Sequence, residues 1–249
     1  MNVIVCGAGG KMGEKLIASI ESGFNGATVA AAVDINMPSG NYPCYRDISE
    51  VRENADVIID FSHHTAIKAL TEYAVSKNIP LVIATTGHTE EEKALALAAS
   101  EKIPVFMSGN MSIGIALLME LVRRTVEVFP EADVEIVEVH HNQKVDVPSG
   151  TALMLANTVK DARGGEFNIG RHENGKRKQG EIGIHSLRTG KVIGEHEVRI
   201  DTGSQTITLK HESHGRELFA EGALCAAAYI SVLDKGFYTV SDMIGRDCK

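Results

Sequence analysis

Val3-Ile4-Val5-Cys6-Gly7-Ala8-Gly9-Gly10-Lys11-Met12-Gly13 sets a short β-branched run directly against a glycine-rich turn, and a helical stretch, 14–22, follows it. The unit reads as strand, tight turn, helix. Glycine tolerates strained turn angles, keeps side chains away from a pyrophosphate and lets a helix pack close to a sheet, while the helix N-terminus offers free N–H groups to anionic oxygens. The sixth position of the motif is Met12 and not the glycine of a strict GxGxxG, so context carries the reading more than the letters do. A second apolar run, 28–33, ends at Asp34, where a carboxylate accepts hydrogen bonds from the ribose hydroxyls of an adenosine. Together these features predict a dinucleotide ligand. The carboxylate repels a 2′-phosphate, Ile35 beside it brings no positive charge, and Lys11 is the only nearby cation, so NADH is expected to be preferred over NADPH.

The rhythm continues outward from this unit. Apolar runs at 57–59, 81–83 and 105–107 each end in small or polar residues, with helical patterns over 65–77 and 90–101 between them, and Thr89 and Glu92 are spaced as a capping box. Short, wholly apolar strands that alternate with helices predict an α/β fold, a Rossmann-like doubly wound parallel sheet. After Ser112 the pattern changes to a long helix reaching about Val128 and then a strand, 134–141, that mixes polar with apolar residues. Further strands at 181–188, 191–200 and 205–212 are separated by Thr189-Gly190 and Asp201-Thr202-Gly203, the turn chemistry of antiparallel neighbours. This half is expected to be a central α+β domain with an open mixed or antiparallel sheet. The polar, glycine-punctuated stretch 174–180 is placed in an exposed loop, and a last apolar helix, 218–233, is long enough to return to the first domain.

Composition narrows the partners. With 43% hydrophobic and 23% charged residues the chain has globular proportions, and its 249 residues suffice for one to two domains with a core that needs no disulfide support. Lys and Arg total 25 against 33 Asp and Glu, a net charge of -8, which disfavours nucleic acid. No run of 18 apolar residues offers a membrane span, and the opening MNVIVCGAGG resembles no charged leader, so a soluble cytoplasmic protein is expected. Cys6, Cys44, Cys225 and Cys248 are widely spaced, which suits reduced thiols and not a disulfide framework or a zinc site.

The densest polar cluster is EVHHNQKVDVPSGTA, 138–152. Two adjacent histidines end a strand, Lys144 follows, and Pro148-Ser149-Gly150-Thr151 opens the next helix. Ser149 or Thr151 can cap that helix, and its free N–H groups with Lys144 make a compact anion site suited to a carboxylate. An imidazole with an ordinary pKa near 6.5 exchanges a proton at neutral pH, so His140 or His141 can complete a reduction whose other half is hydride. A zinc reading of the pair is weaker, because adjacent strand residues point to opposite faces and no HExxH motif or Cys ligand accompanies them. His63 and His64 follow the third strand near the cofactor edge, whereas His211 and His214 read as polar strand-end residues.

Taken with the glycine turn, this cluster resembles the dihydrodipicolinate reductases of the bacterial and plant diaminopimelate route to lysine. The resemblance runs through GAGGKMG, DFS at 60–62, ATTG at 84–87, GNMS at 109–112, HHNQKVDVPSGTA and GKVIGEH at 190–196. It implies a dinucleotide-binding domain over 1–111 and 221–249 around a substrate-binding and oligomerisation domain over 112–220, assembled as a homotetramer. It assigns the pyrophosphate to Gly7, Ala8, Gly9, Gly10, Lys11 and Met12, and the ribose to Asp34. The nicotinamide side falls to Ala84, Thr85, Thr86 and Gly87, and the hinge facing the ring to Ser108, Gly109, Asn110 and Met111. His140 becomes the proton donor and Lys144 the second catalytic group, while His141, Ser149, Gly150 and Thr151 grip the carboxylates of a small dicarboxylate substrate. Hinges are expected after Ser108 and before Gly222. Two departures stand out: Val147 replaces the usual alanine before the proline, and His63-His64 lies where many members carry a proline nearby. Two rivals keep the same architecture, another amino-acid dehydrogenase and a non-catalytic dinucleotide sensor.

Overall fold

The computed structural model describes residues 1–36 and 39–245, so Cys248 lies outside the described residues. Two compact units emerge, Met1–Ile113 with Arg216–Lys249, and Gly114–Gly215.

In the first unit β1 (Asn2–Cys6), α1 (Lys11–Glu21), β2 (Thr28–Val33) and β3 (Cys44–Tyr45) are followed by β4 (Val57–Asp60), α2 (Ile67–Lys77), β5 (Leu81–Ile83), α3 (Glu90–Ser100) and β6 (Pro104–Met107). Each of β1, β4 and β5 is built on a three-residue aliphatic run because helices cover both faces of the sheet; Ile4, Ile58 and Leu81 are completely buried. Thr89 caps α3 and Glu92 returns a bond to the Thr89 backbone, the capping box read from the sequence. The second unit holds α4 (Ile113–Val128), β7 (Asp133–His140), α5 (Gly150–Arg163), β8 (Phe167–Ile169), β9 (Ile182–Arg188), β10 (Gly194–Asp201) and β11 (Thr206–Ser213). The chain then rejoins the first unit through α6 (Glu217–Ile230), β12 (Gly236–Tyr238) and α7 (Val240–Gly245), and residue 221 lies within α6.

The first sheet has seven strands in the order β12-β6-β5-β4-β1-β2-β3, every pair parallel. Strand order reverses on either side of β1, which leaves a crevice beyond the strand ends Cys6 and Asp60, the usual place for a ligand in such folds. The second sheet has five strands, β11-β10-β7-β9-β8, and is mixed. Its inner face packs Ile136, Ile182 and Val198 against Leu155 and Val159 of α5. At roughly 1.5–3 kcal/mol for each buried aliphatic side chain, that contact fixes the helix on the sheet and with it the start of α5.

One pairing departs from the sequence reading. β10 and β11 are antiparallel neighbours as expected, but β9 and β10 are not, since β7 lies between them, parallel to β9 and antiparallel to β10. The Thr189-Gly190 turn reverses the chain without determining its neighbour. β7 buries alternate residues from Val134 to His140 and takes the central position.

Candidate active site

In the first unit the glycine turn is built for close approach. Gly7 has φ +75°, and a Cβ there would meet the Phe61 carbonyl carbon at 2.5 Å. A Cβ on Gly13 would meet the Gly7 oxygen at 2.2 Å, so α1 starts hard against the turn that precedes it. Gly10 is the N-cap and supplies no side-chain bond, which leaves first-turn N–H groups of α1 for an anion. Asp34 is pinned from two sides: Gly9 N–H donates to Oδ2 at 3.0 Å and Asn36 N–H to Oδ1 at 2.8 Å. Its remaining lone pairs face a cavity of about 570 Å³ lined by Gly7, Gly10, Asp34, Arg46 and His63 among others. A nucleotide's chemistry fits this set: backbone donors for phosphate and a fixed acceptor for hydroxyls.

Arg46 is a cation that sequence spacing did not reveal. Val33 pairs with Tyr45 and Asp34 N–H donates to the Tyr45 oxygen, so Arg46 follows directly beside Asp34. It is exposed and forms no ion pair among the described residues, so Lys11 is not the lone positive charge near Asp34.

At the ends of the next strands the structure joins two motifs. Asp60, buried at the end of β4, accepts from Ser62 N–H at 3.0 Å, Ser62 Oγ at 2.5 Å and Thr85 Oγ1 at 2.7 Å. Burial raises its pKa and the Ser62 and Thr85 bonds oppose the rise. Thr85 is therefore turned inward and Ala84 is buried, while Thr86 and Gly87 are exposed. Ser108 Oγ donates to the Asn110 oxygen at 2.7 Å, Ser112 N–H donates to Asn110 Oδ1 at 2.9 Å, and Met111 is buried. His63 Nδ1 contacts Thr65 Oγ1 at 3.0 Å and His64 Nδ1 meets both Glu92 oxygens at 2.8 Å. Cys6 is enclosed and burial pushes its thiol well up, out of reach of ordinary thiolate chemistry.

In the second unit β7, β9 and β10 turn polar side chains inward at one end of their shared face. Register sets Glu138 beside Ser186 and His196, and His140 beside Arg188. Glu138 is completely buried yet carries a full set of partners: Arg188 Nη1 at 3.0 Å, Arg188 Nη2 at 2.9 Å, Ser149 N–H at 3.1 Å, and His140 Nδ1. Burial alone would raise its pKa, but the bonds from Arg188, His140 and Ser149 outweigh it and hold the carboxyl below its usual range. His140 is buried too, which lowers its pKa, and the Glu138 bond and charge oppose that fall. His196 sits with its ring centroid 5.2 Å from that of His140, and burial with the His140 neighbour brings it down to about 4. A Cβ on Gly194 would lie 3.1 Å from His140 Nε2, so the glycine leaves that nitrogen room.

The start of α5 completes the cluster. Ser149 is its N-cap, with Oγ accepting from Ala152 N–H at 3.2 Å and lying 3.2 Å from His196 Nε2. Its hydroxyl and amide thus have internal partners, and Ser149 shapes the helix start instead of offering a free hydroxyl. Gly150 is exposed and Thr151 half-buried in the first turn. Lys144 pairs with Asp146 at 2.9 Å and is half-buried, and His141 Nδ1 accepts from Gln143 N–H at 3.2 Å. His140, Lys144 and the α5 N-terminus therefore belong to one short stretch of the second unit, an imidazole with two sources of positive potential.

Comparison with known proteins gives this geometry its relatives. The family model described as "Dihydrodipicolinate reductase, N-terminus" matches residues 1–111, and "Dihydrodipicolinate reductase, C-terminus" matches residues 114–244. The chain belongs to the dihydrodipicolinate reductase family. Within it, the 4-hydroxy-tetrahydrodipicolinate reductase of Caldanaerobacter subterraneus subsp. tengcongensis is 43% identical over 249 residues, covering 99% of each chain. That of Clostridium novyi is 43% identical over 246 residues, covering 97% of each. Among solved structures, the dipicolinate-bound dihydrodipicolinate reductase from Paenisporosarcina sp. TG-14 superposes with TM-score 0.81 at 25% identity, over 96% of this chain and 97% of that one. A probable dehydrogenase from Thermotoga maritima, at TM-score 0.64 and 11% identity, shares the fold over 98% of this chain and 92% of its own. The resemblance drawn from GAGGKMG and HHNQKVDVPSGTA is borne out, and the dihydrodipicolinate reductase family takes NAD(P)H as reductant.

Sequence reading missed Glu138, Arg188 and His196. A signal existed. Each continues the inward parity of its strand, after Val134 and Ile136, Ile182 and Ile184, or before Val198 and Ile200. A charged or imidazole side chain at an inward position requires partners.

Proposed function

We propose that this chain reduces 4-hydroxy-tetrahydrodipicolinate to tetrahydrodipicolinate with NAD(P)H, in lysine biosynthesis by way of diaminopimelate. The observation that carries the reading is His140, buried at the end of β7 and bonded to Glu138, close in sequence to Lys144 and the capped start of α5. In a chain of this family, that combination suits protonation of a doubly charged ring.

Gly7 to Met12 would hold the pyrophosphate and Asp34 the ribose hydroxyls. Thr85, Thr86 and Gly87, with Ser108 to Met111, would meet the nicotinamide side. A nicotinamide held there would supply hydride to a ring carbon of the substrate once the 4-hydroxyl has left. His140 delivers the accompanying proton from Nε2, and an acid in this position contributes roughly 10²–10⁴-fold. Lys144 and the α5 N–H groups near Gly150 and Thr151 hold substrate carboxylates, with His141 at the edge of the same loop. Ser149 acts by fixing that helix start.

The pinned Asp34 carboxylate supports NADH as the preferred reductant, and Arg46 narrows the margin because its guanidinium attracts a 2′-phosphate. Replacing Arg46 with Ala is expected to lower kcat/KM for NADPH several-fold and leave that for NADH nearly unchanged; equal losses would remove Arg46 from cofactor choice. The same reading carries a cytoplasmic homotetramer. α4 turns Leu117 and Leu121 outward, 51% and 44% exposed, which an assembly would cover, and sedimentation reads the subunit number.

The deciding assay mixes NADH, pyruvate, aspartate semialdehyde and the synthase that condenses them, then follows the near-ultraviolet absorbance of the reduced nicotinamide. Loss of absorbance that requires both the synthase and this chain supports the reductase. A steady signal in the complete mixture returns the chain to a dinucleotide sensor.

A further inference from the structure

We propose that Glu138 is a positioning residue that locks His140 into one tautomer, with Nδ1–H directed at the carboxylate and Nε2 kept for proton transfer. The inference rests on the reading of His140 as the acid and adds the group that makes it one.

The Glu138 carboxylate is saturated with donors. An ionised carboxylate only accepts, and its two oxygens offer about four lone-pair sites. Arg188 takes two with its paired nitrogens, the Ser149 N–H takes a third, and His140 Nδ1 takes the fourth. Because Glu138 has no proton to give, the hydrogen in its contact with His140 belongs to the imidazole. Neutral His140 therefore carries its hydrogen on Nδ1 and leaves Nε2 bare, and on protonation the mobile proton sits on Nε2. Rotating the ring would remove a partner from a completely buried carboxylate, a costly exchange in a dry site.

Charge supplies the second half. From its own strand His140 faces Glu138, from β9 Arg188, from β10 His196, and from the following loop Lys144, which is itself paired with Asp146. Burial, Arg188 and Lys144 all disfavour an imidazolium, and the neutral His196 does not favour one. Glu138 is the negative group in contact with the ring, so it opposes the fall in pKa and favours the protonated form that a general acid needs. Arg188 keeps the carboxylate ionised and so acts on His140 through it.

The test is Glu138→Gln with Glu138→Asp beside it. Glu138→Gln keeps shape and removes charge: kcat is expected to fall by about 10²-fold or more, and the alkaline limb of the kcat/KM profile to move at least about one pH unit lower. Glu138→Asp retains the charge and is expected to keep the limb near its original pH at reduced kcat. A Glu138→Gln enzyme with the original pH profile overturns the proposal. Should that variant fail to fold, ¹⁵N-histidine NMR of the unaltered protein decides. Nδ1–H with bare Nε2 on His140 at alkaline pH supports the lock, and the opposite tautomer overturns it. The NMR result stands apart from turnover, so a chain that consumes no NADH loses the proposed function while the Glu138–His140 pairing is still judged on its own spectrum.

Discussion

His140 and His196 lie side by side in different surroundings. His140 touches a carboxylate; His196 touches the Ser149 hydroxyl and has a buried Nδ1 without a partner among the described residues. Replacing His140 with Gln is expected to lower kcat by about 10²–10⁴-fold while NADH still binds, as read by quenching of nicotinamide fluorescence; unchanged turnover would remove His140 from the acid role. For His196 the effect falls on stability. Its folded pKa of about 4 lies below the ordinary 6.5, so below pH 6.5 the unfolded chain takes up the proton first. The stability held by neutral His196 is complete above pH 6.5 and drains away as pH falls toward 4, by up to about 3 kcal/mol. Urea unfolding at a series of pH values is expected to show that decline, flatter in His196→Gln, and equal slopes would contradict the assignment.

At the scale of elements, the junction of β1 and α1 is set by contact between backbones. A methyl at Gly13 would press on the Gly7 oxygen and on Ala8 Cα at 2.6 Å, and neither atom can swing aside as a long side chain could. Gly13→Ala is therefore expected to cost about 1–3 kcal/mol and to weaken NADH binding at least about tenfold, because the helix start must withdraw from the phosphate position. Titration calorimetry reads the affinity, and an unaltered dissociation constant would refute the cradle. The elements that sequence revealed are those with an apolar run or a cap: β2 spans Thr28–Val33 and β5 spans Leu81–Ile83 as read, and Ser149 caps α5. β3, β8 and β12 escaped because strands of two or three residues at sheet edges, such as Cys44–Tyr45 or Gly236–Tyr238, carry no periodicity. The site divides in the same way. Gly7, Asp34, His140 and Lys144 are marked by spacing along the chain, whereas Arg46 and Arg188 become neighbours of Asp34 and Glu138 only once strand order and register are known.

For the whole molecule the informative feature is that its first sheet is not made from one continuous stretch. β12 pairs with β6, and α6 packs on β4, β5 and β6, so residues beyond 215 complete what residues 1–113 begin. A ribosome releases the strands of this sheet in sequence, and at about 5–20 residues per second the second unit occupies it for roughly 5–20 s before α6 emerges. During that interval the nascent sheet lacks α6 and its edge strand β12, so β6, whose Phe106 is completely buried in the finished protein, stands as an unpaired margin. Chains stalled near residue 215 are expected to bind chaperone and yield readily to protease, while chains released in full resist both; equal resistance would show that the early strands hold without their late partners. Synthesis of this protein is thus a wager on timing, with its first sheet kept waiting for residues that emerge only after the whole of the second unit.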